Sequence, residues 1–207
     1  MSVPKHPRPR IEALSDLIFG LALSIGTISL ISRLPRTPIA ILVDLMQFGF
    51  SFLILISVWM SYTSIMSVLP IEYRRTMVLN IIMLFLVSIE PYLFYLNVVF
   101  DLSDFAVLLD TASIIYALDL AGSMAILALF TNELTIEERK LLPQDILGRY
   151  RGIRNSFFFS AAIFAITIVP VFWVWRVDNT PVRFYLWFLP LILGSLRRVS
   201  RRQTHDT

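Results

Sequence analysis

Asp16 stands at the mouth of an apolar run that carries no further charge from Leu17 until Arg33. A carboxylate there is costly to bury in hydrocarbon, so it either lies at the interface or is held by partners. Candidate partners are few. If successive segments cross back and forth as helices, Ser15 and Asp16 of the first, Trp59 and Tyr62 of the second and Asn80 of the third share one level. That level lies within about two turns of one surface, at ~1.5 Å per residue. An acid, a hydroxyl, an indole N–H, a phenol and a carboxamide make hydrogen bonds rather than reactions, and together they could clamp three helices. An interfacial belt would also gather Trp and Tyr at this depth, and spacing leaves both readings open. Arg10 and Asp16 stand about 240° apart around one helix, so each is expected to bond to a neighbouring helix or subunit.

The same first segment has two faces. Leu17, Leu21, Ser24 and Ile28 recur at helical steps and form one stripe, with Ile25 at its edge. Ala22, Gly26 and Ser29 lie opposite, small residues that permit close backbone approach. If the small face packs in the chain's own bundle, the stripe points to lipid, to more protein or to a pore. Other acids at membrane depth are Glu90, Asp110 and Asp119, to which spacing assigns no role.

Enzyme chemistry has little to work with. The two histidines, His6 and His205, sit in the terminal tails, and the seven glycines form no phosphate-cradling loop. There is no Gly-x-Ser-x-Gly motif and no cysteine, so neither a nucleophile elbow nor a thiolate metal site is available. No cofactor and no metal site is expected.

The elements that must position these residues are transmembrane helices. Hydrophobic residues make up 57% of the 207-residue chain and mean hydropathy is +0.73, above the ~45–50% apolar share of soluble domains. Six helices are expected, over residues 11–34, 39–66, 76–100, 106–130, 156–175 and 181–196, in an all-α membrane unit spanning 1–203 with a short tail at 204–207. The sixth is short and carries Arg183 in its first turn, which is expected to snorkel to the interface. Asn132 to Asn155 is polar, with charges of alternating sign around Leu141, Leu142, Ile146 and Leu147, and reads as a surface helix or a solvated loop. No Ala-x-Ala site follows the first span, which is too long for a signal h-region, so it is expected to remain in the mature protein.

Basic residues set the orientation. Fourteen fall on one side (Lys5, Arg8, Arg10, Arg74, Arg75, Arg139, Lys140, Arg149, Arg151, Arg154, Arg197, Arg198, Arg201, Arg202) and four on the other (Arg33, Arg36, Arg176, Arg183). The positive-inside rule puts both termini in the cytoplasm, in agreement with an even number of spans. The net charge of +3 is explained by topology and anionic lipid contacts, and no nucleic-acid partner is expected.

Arg10-x-x-x-Leu14-Ser15-Asp16 resembles the Arg-x-x-x-Phe-Ser-Asp signature that opens the first helix of the transmembrane protein 175 family of potassium channels. Ser51-Phe52 followed by Trp59 is similar to the family's second helix, Leu79-Asn80 with Glu90-Pro91-Tyr92 to its third, and Tyr116 to a tyrosine of its fourth. Three positions depart from the pattern: Leu14 replaces Phe, Tyr62 stands where a His commonly follows the Trp, and Ser29 stands where many relatives carry Glu. The resemblance implies a passive, potassium-preferring channel in a prokaryotic plasma membrane, assembled as a homotetramer around its first helices. The pore positions would be Leu21, Ser24, Ile25 and Ile28, and the motif network Arg10, Ser15, Asp16, Trp59 and Asn80. Potassium ions and membrane lipids would be the partners. A non-conducting scaffold or subunit and a secondary transporter are the alternatives, though no pair of related broken halves is visible.

Cysteines introduced singly at Ser103 and Thr207 of this cysteine-free chain should be labelled from opposite sides of intact cells. Labelling from one side would contradict the six-span topology.

Overall fold

The computed structural model describes residues 10–28, 37–69, 73–99, 106–136, 141, 143–177 and 180–190. Five long helices dominate: α1 (Arg10–Gly26), α2 (Pro38–Met66), α3 (Arg74–Val99), α4 (Ala106–Leu134) and α5 (Gln144–Ile166). A single turn, α6 (Val171–Val174), leads into a small antiparallel pair, β1 (Arg176–Val177) with β2 (Thr180–Pro181), and then into α7 (Val182–Leu186). Among the described residues, α2, α3 and α4 are long and apolar enough to cross a membrane, and Ala13–Gly26 is a shorter apolar helix. The chain is an all-α membrane protein.

Local sequence explains most of the helix ends. Thr37 caps α2, its Oγ1 accepting from the Ala40 amide at 3.2 Å, and Pro38 takes the first helical position, where its missing N–H is harmless. Pro91 lies inside α3 without ending it. Proline is tolerated there because neighbouring helices and local adjustments satisfy the freed carbonyl. Between Gly26 and Ile28 the first helix tightens, with the Thr27 amide donating to the Ser24 carbonyl at 3.1 Å. Residues 29–34 of the expected first span lie outside the described residues, as do 191–196 of the sixth and the tail at 204–207.

Helix α4 is the centre of the bundle. Of its most apolar stretch 67% is buried, against 22% for α2, and it packs on both α3 and α5. Tyr116, Leu120, Leu127, Phe130 and Leu134 form its buried face. The first turns of α2, residues 38–46, are largely exposed, with Ile39, Leu42 and Met46 at 75%, 59% and 70%.

Two expectations need correction. Residues 144–155 form neither a separate surface helix nor a loop: they are the first half of α5, continuous with the apolar half that follows. Pro143 precedes the helix, and Arg154 fastens its polar half to α4 by donating to Asn132 Oδ1 at 3.0 Å. The expected fifth span, 156–175, breaks near its end. Pro170 cannot supply an amide, and α5 stops at Ile166 with a turn through Thr167. Two tryptophans secure that turn, Trp173 donating to the Thr167 carbonyl at 3.0 Å and Trp187 to its hydroxyl at 3.1 Å.

Candidate functional site

Three hydrogen-bonding layers tie the helices together. At the inner level, Tyr62 of α2 lies between α1 and α3, its hydroxyl 2.9 Å from Ser15 Oγ and 2.7 Å from Asn80 Oδ1. One phenolic proton serves one acceptor at a time, and the Asn80 carbonyl is the nearer of the two. Ser15, Tyr62 and Asn80 are 0%, 2% and 1% exposed. Phe19 packs against the Tyr62 ring at 5.3 Å and Phe130 at 6.2 Å, so this contact is dry. At its rim Trp59 Nε1 donates to Asp16 Oδ1 at 3.3 Å, and that carboxylate is exposed.

Ser15, Asp16, Trp59 and Asn80 are thus brought together. The Arg10 side chain lies outside the described residues. Sequence reasoning placed Tyr62 at this level but left it out of the motif network, and its hydroxyl reaches both α1 and α3. Its signal was its place on the Trp59 face of the helix, three residues on.

At mid-depth, Ser51 of α2 and Tyr116 of α4 both donate to Glu90 Oε1 of α3, at 2.9 and 3.1 Å. The inner and middle layers fix one register. From Tyr62 to Ser51 is eleven residues down α2, and from Asn80 to Glu90 is ten up α3, about 16.5 and 15 Å of antiparallel helix. At the outer level, Arg183 Nη2 meets Asp110 Oδ1 at 2.7 Å, with the guanidinium against the Trp173 and Phe184 rings. Arg183 is 1% exposed, so it does not snorkel to the interface: Asp110 and two aromatic faces hold it inside. At the opposite end of the bundle, Arg75 of α3 pairs with Glu133 of α4 at 2.9 Å.

The inner layer determines which way α1 faces. Its buried side is Ser15, Phe19, Ala22 and Gly26, the last close enough to α2 that an added Cβ would meet the Phe48 ring at 3.6 Å. The opposite side is open, with Leu17, Leu21, Ile25 and Ile28 at 67%, 57%, 41% and 58% exposure and Ser24 exposed among them. Ser24 donates its hydroxyl proton to the Gly20 carbonyl at 2.8 Å, so its oxygen can present lone pairs outward. Among the described residues no group of three or more His, Cys, Asp or Glu could hold a metal ion.

Residues 10–91 match the model of a family described as the endosomal/lysosomal potassium channel TMEM175. The fold is similar to the crystal structure of a lysosomal potassium-selective channel TMEM175 homolog from Chamaesiphon minutus, with a TM-score of 0.61 and 17% identity over 91% of this chain and 96% of that one. Comparison with the curated proteins finds no match.

Tyr62→Phe should destabilise the fold by about 1–3 kcal/mol, because it takes the donor from the buried Asn80 carbonyl and removes the contact with Ser15. Ser64→Ala, on the exposed flank of the same turn, should change stability by no more than about 0.5 kcal/mol. Thermal unfolding in detergent compares the two; equal effects would remove Tyr62 from the centre of the clamp.

Proposed function

Starting from a chain whose residues 10–91 match the TMEM175 family and whose backbone has the fold of a TMEM175 homologue, we propose a passive, potassium-preferring cation channel. Four copies surround an axis lined by α1, in a prokaryotic plasma membrane, with both termini cytoplasmic. The observation that carries this reading is the two-faced α1. Ser15, Phe19, Ala22 and Gly26 are buried in its own bundle, while Leu21, Ser24, Ile25 and Ile28 remain open. One chain offers one such stripe, and a closed ring of copies would enclose a path. The apolar, largely uncovered stretch 38–46 of α2 supports assembly, since it leaves room for a neighbouring copy.

The chemistry of the path follows from the helix. Backbone carbonyls in an unbroken helix are committed to its own hydrogen bonds, so side chains face the ions. Rings of Leu21 and Ile28, seven residues and about 10 Å apart, form constrictions that empty of water when narrow. Between them the Ser24 hydroxyl oxygens replace part of an ion's lost hydration. Selectivity from one such ring is modest beside a filter with many carbonyl sites.

Potassium flux into liposomes containing the purified chain tests the proposal. Flux should follow the potassium gradient with no coupled ion. Leu21→Asn or Ile28→Asn should raise basal flux by wetting a constriction, and Leu53→Asn, equally exposed but on α2, should not. Ser24→Ala should lower potassium-over-sodium preference by about 1 kcal/mol, roughly fivefold. Flux that needs a second ion points to a transporter, and a silent, assembled protein to a scaffold.

A further inference from the structure

Along α5 one open stripe changes character. Gly148, Arg151, Gly152 and Asn155 share a face of the helix and are all exposed, and Phe159 and Ile166 continue that face at 54% and 51% exposure. The stripe is cationic and polar at one end and apolar at the other. Its polar end lies at the inner end of the bundle. Arg154 bonds there to Asn132 of α4, the neighbour of Glu133, which pairs with Arg75 at the start of α3. Arg75 is five residues inward of Asn80, about 7.5 Å along the helix.

The donors at this end are arranged. Arg154 Nε and Nη2 both donate to Asn155 Oδ1 at 3.2 Å, while its Nη1 holds Asn132. A guanidinium has donors only, so the Asn155 carbonyl faces Arg154 and its NH2 group is turned away, available to an acceptor. One turn inward stands the Arg151 guanidinium, whose five N–H groups can serve more than one acceptor. Gly148 and Gly152 leave open space beside it, since a Cβ added to either would meet no atom within 4 Å. From Ile146 to Val177 the sequence contains no acid, so the stripe carries positive charge alone.

Among the long helices, α5 packs chiefly on α4, and α1 chiefly on α3. With α1 on the axis of the proposed channel, α5 falls at the outer rim, against lipid. That placement, unlike the donor set, rests on the channel reading. We propose that the stripe binds one anionic phospholipid of the inner leaflet, its phosphate held by Arg151 and the Asn155 amide and its acyl chains lying along Phe159 and Ile166. A free anion would match the polar end alone, whereas a lipid matches both ends at the depth where its own charge sits. Arginine suits the phosphate because its planar donors engage two oxygens at once.

Native mass spectrometry of the full chain tests this without any current. The chain is released from micelles holding equal amounts of phosphatidylglycerol and phosphatidylcholine with the same acyl chains, and the wild type should retain phosphatidylglycerol preferentially. Arg151→Gln should weaken that retention about tenfold. Asn155→Asp should do the same, because it keeps an acceptor for Arg154 but replaces the outward amide with a repelling carboxylate. Arg74→Gln removes an exposed arginine of α3 from the same end of the bundle and should change retention by less than about twofold. Equal retention of the two lipids would overturn the proposal, and equal losses in all three variants would reduce it to diffuse charge and overturn it too. So would displacement of phosphatidylglycerol by inorganic phosphate at equal concentration, which would assign the donors to a free anion. A disulfide formed in membranes between copies carrying Gly152→Cys would place a second chain on the stripe and contradict the lipid. Should Asn155→Asp fail to fold, Arg151→Gln and the wild-type preference still decide. A chain that shows this pattern but conducts no potassium would lose the channel reading and keep the lipid site.

Discussion

Tyr62 holds α1 in place. Inside a membrane bundle there is no water to satisfy a stray hydroxyl or carboxamide, so each polar side chain must find its partner on another helix. Tyr62 has one oxygen and uses it toward two helices, with Ser15 on one side and Asn80 on the other. That contact fixes the rotation of α1 as well as its depth. A turn of the helix about its own axis would strand Ser15 and pull Phe19 off the Tyr62 ring, so the exposed stripe is a consequence of the buried face.

The remaining polar layers extend the same logic along the bundle. Ser51 and Tyr116 on Glu90 repeat, at mid-depth, the joining of three helices by one oxygen-bearing side chain. Arg183 with Asp110 closes the outer end, and Arg75 with Glu133 the inner end. Apolar packing alone specifies a bundle poorly in lipid, because the tails are as apolar as leucine. Hydrogen bonds at matching depths select one register of α2 against α3. The central position of α4, which supplies Tyr116 to one layer and Phe130 to another, follows from that register.

Much of this was legible in the sequence, for identifiable reasons. Long apolar runs and the prolines near their ends mark membrane helices without reference to tertiary structure, and they give the all-α class. Depth could be counted at 1.5 Å per residue, which put Ser15, Asp16, Trp59 and Asn80 at one level. Which of them touch could not be counted, because contact depends on how each helix is rotated. Tyr62 was therefore noticed but not placed at the centre. The Glu90 layer was hidden for a similar reason: its three members are far apart in sequence, and a lone acid beside a proline does not reveal its partners. The start of α5 was missed because its charged half has a surface-helix pattern, while the Arg154 bond to Asn132 and the packing of Tyr150 on the core make it part of the bundle. The break near Pro170 was visible as a proline, but proline is tolerated in α3 at Pro91, so the residue type alone did not distinguish a kink from a stop.

In the proposed channel the open face of α1 meets the ion path. The chain has no cysteine, so single cysteines can report on one side chain at a time. Cysteines at Leu21, Ser24 and Phe85 would each be exposed to a small, water-soluble, thiol-reactive cation while potassium current is recorded across a bilayer. Phe85 is 60% exposed on α3, as open as Leu21 but on a different helix. The reagent should block current through the Leu21 and Ser24 variants and leave the Phe85 variant unaffected. Block at Phe85 with none at Leu21 or Ser24 would contradict it and move the pathway away from α1.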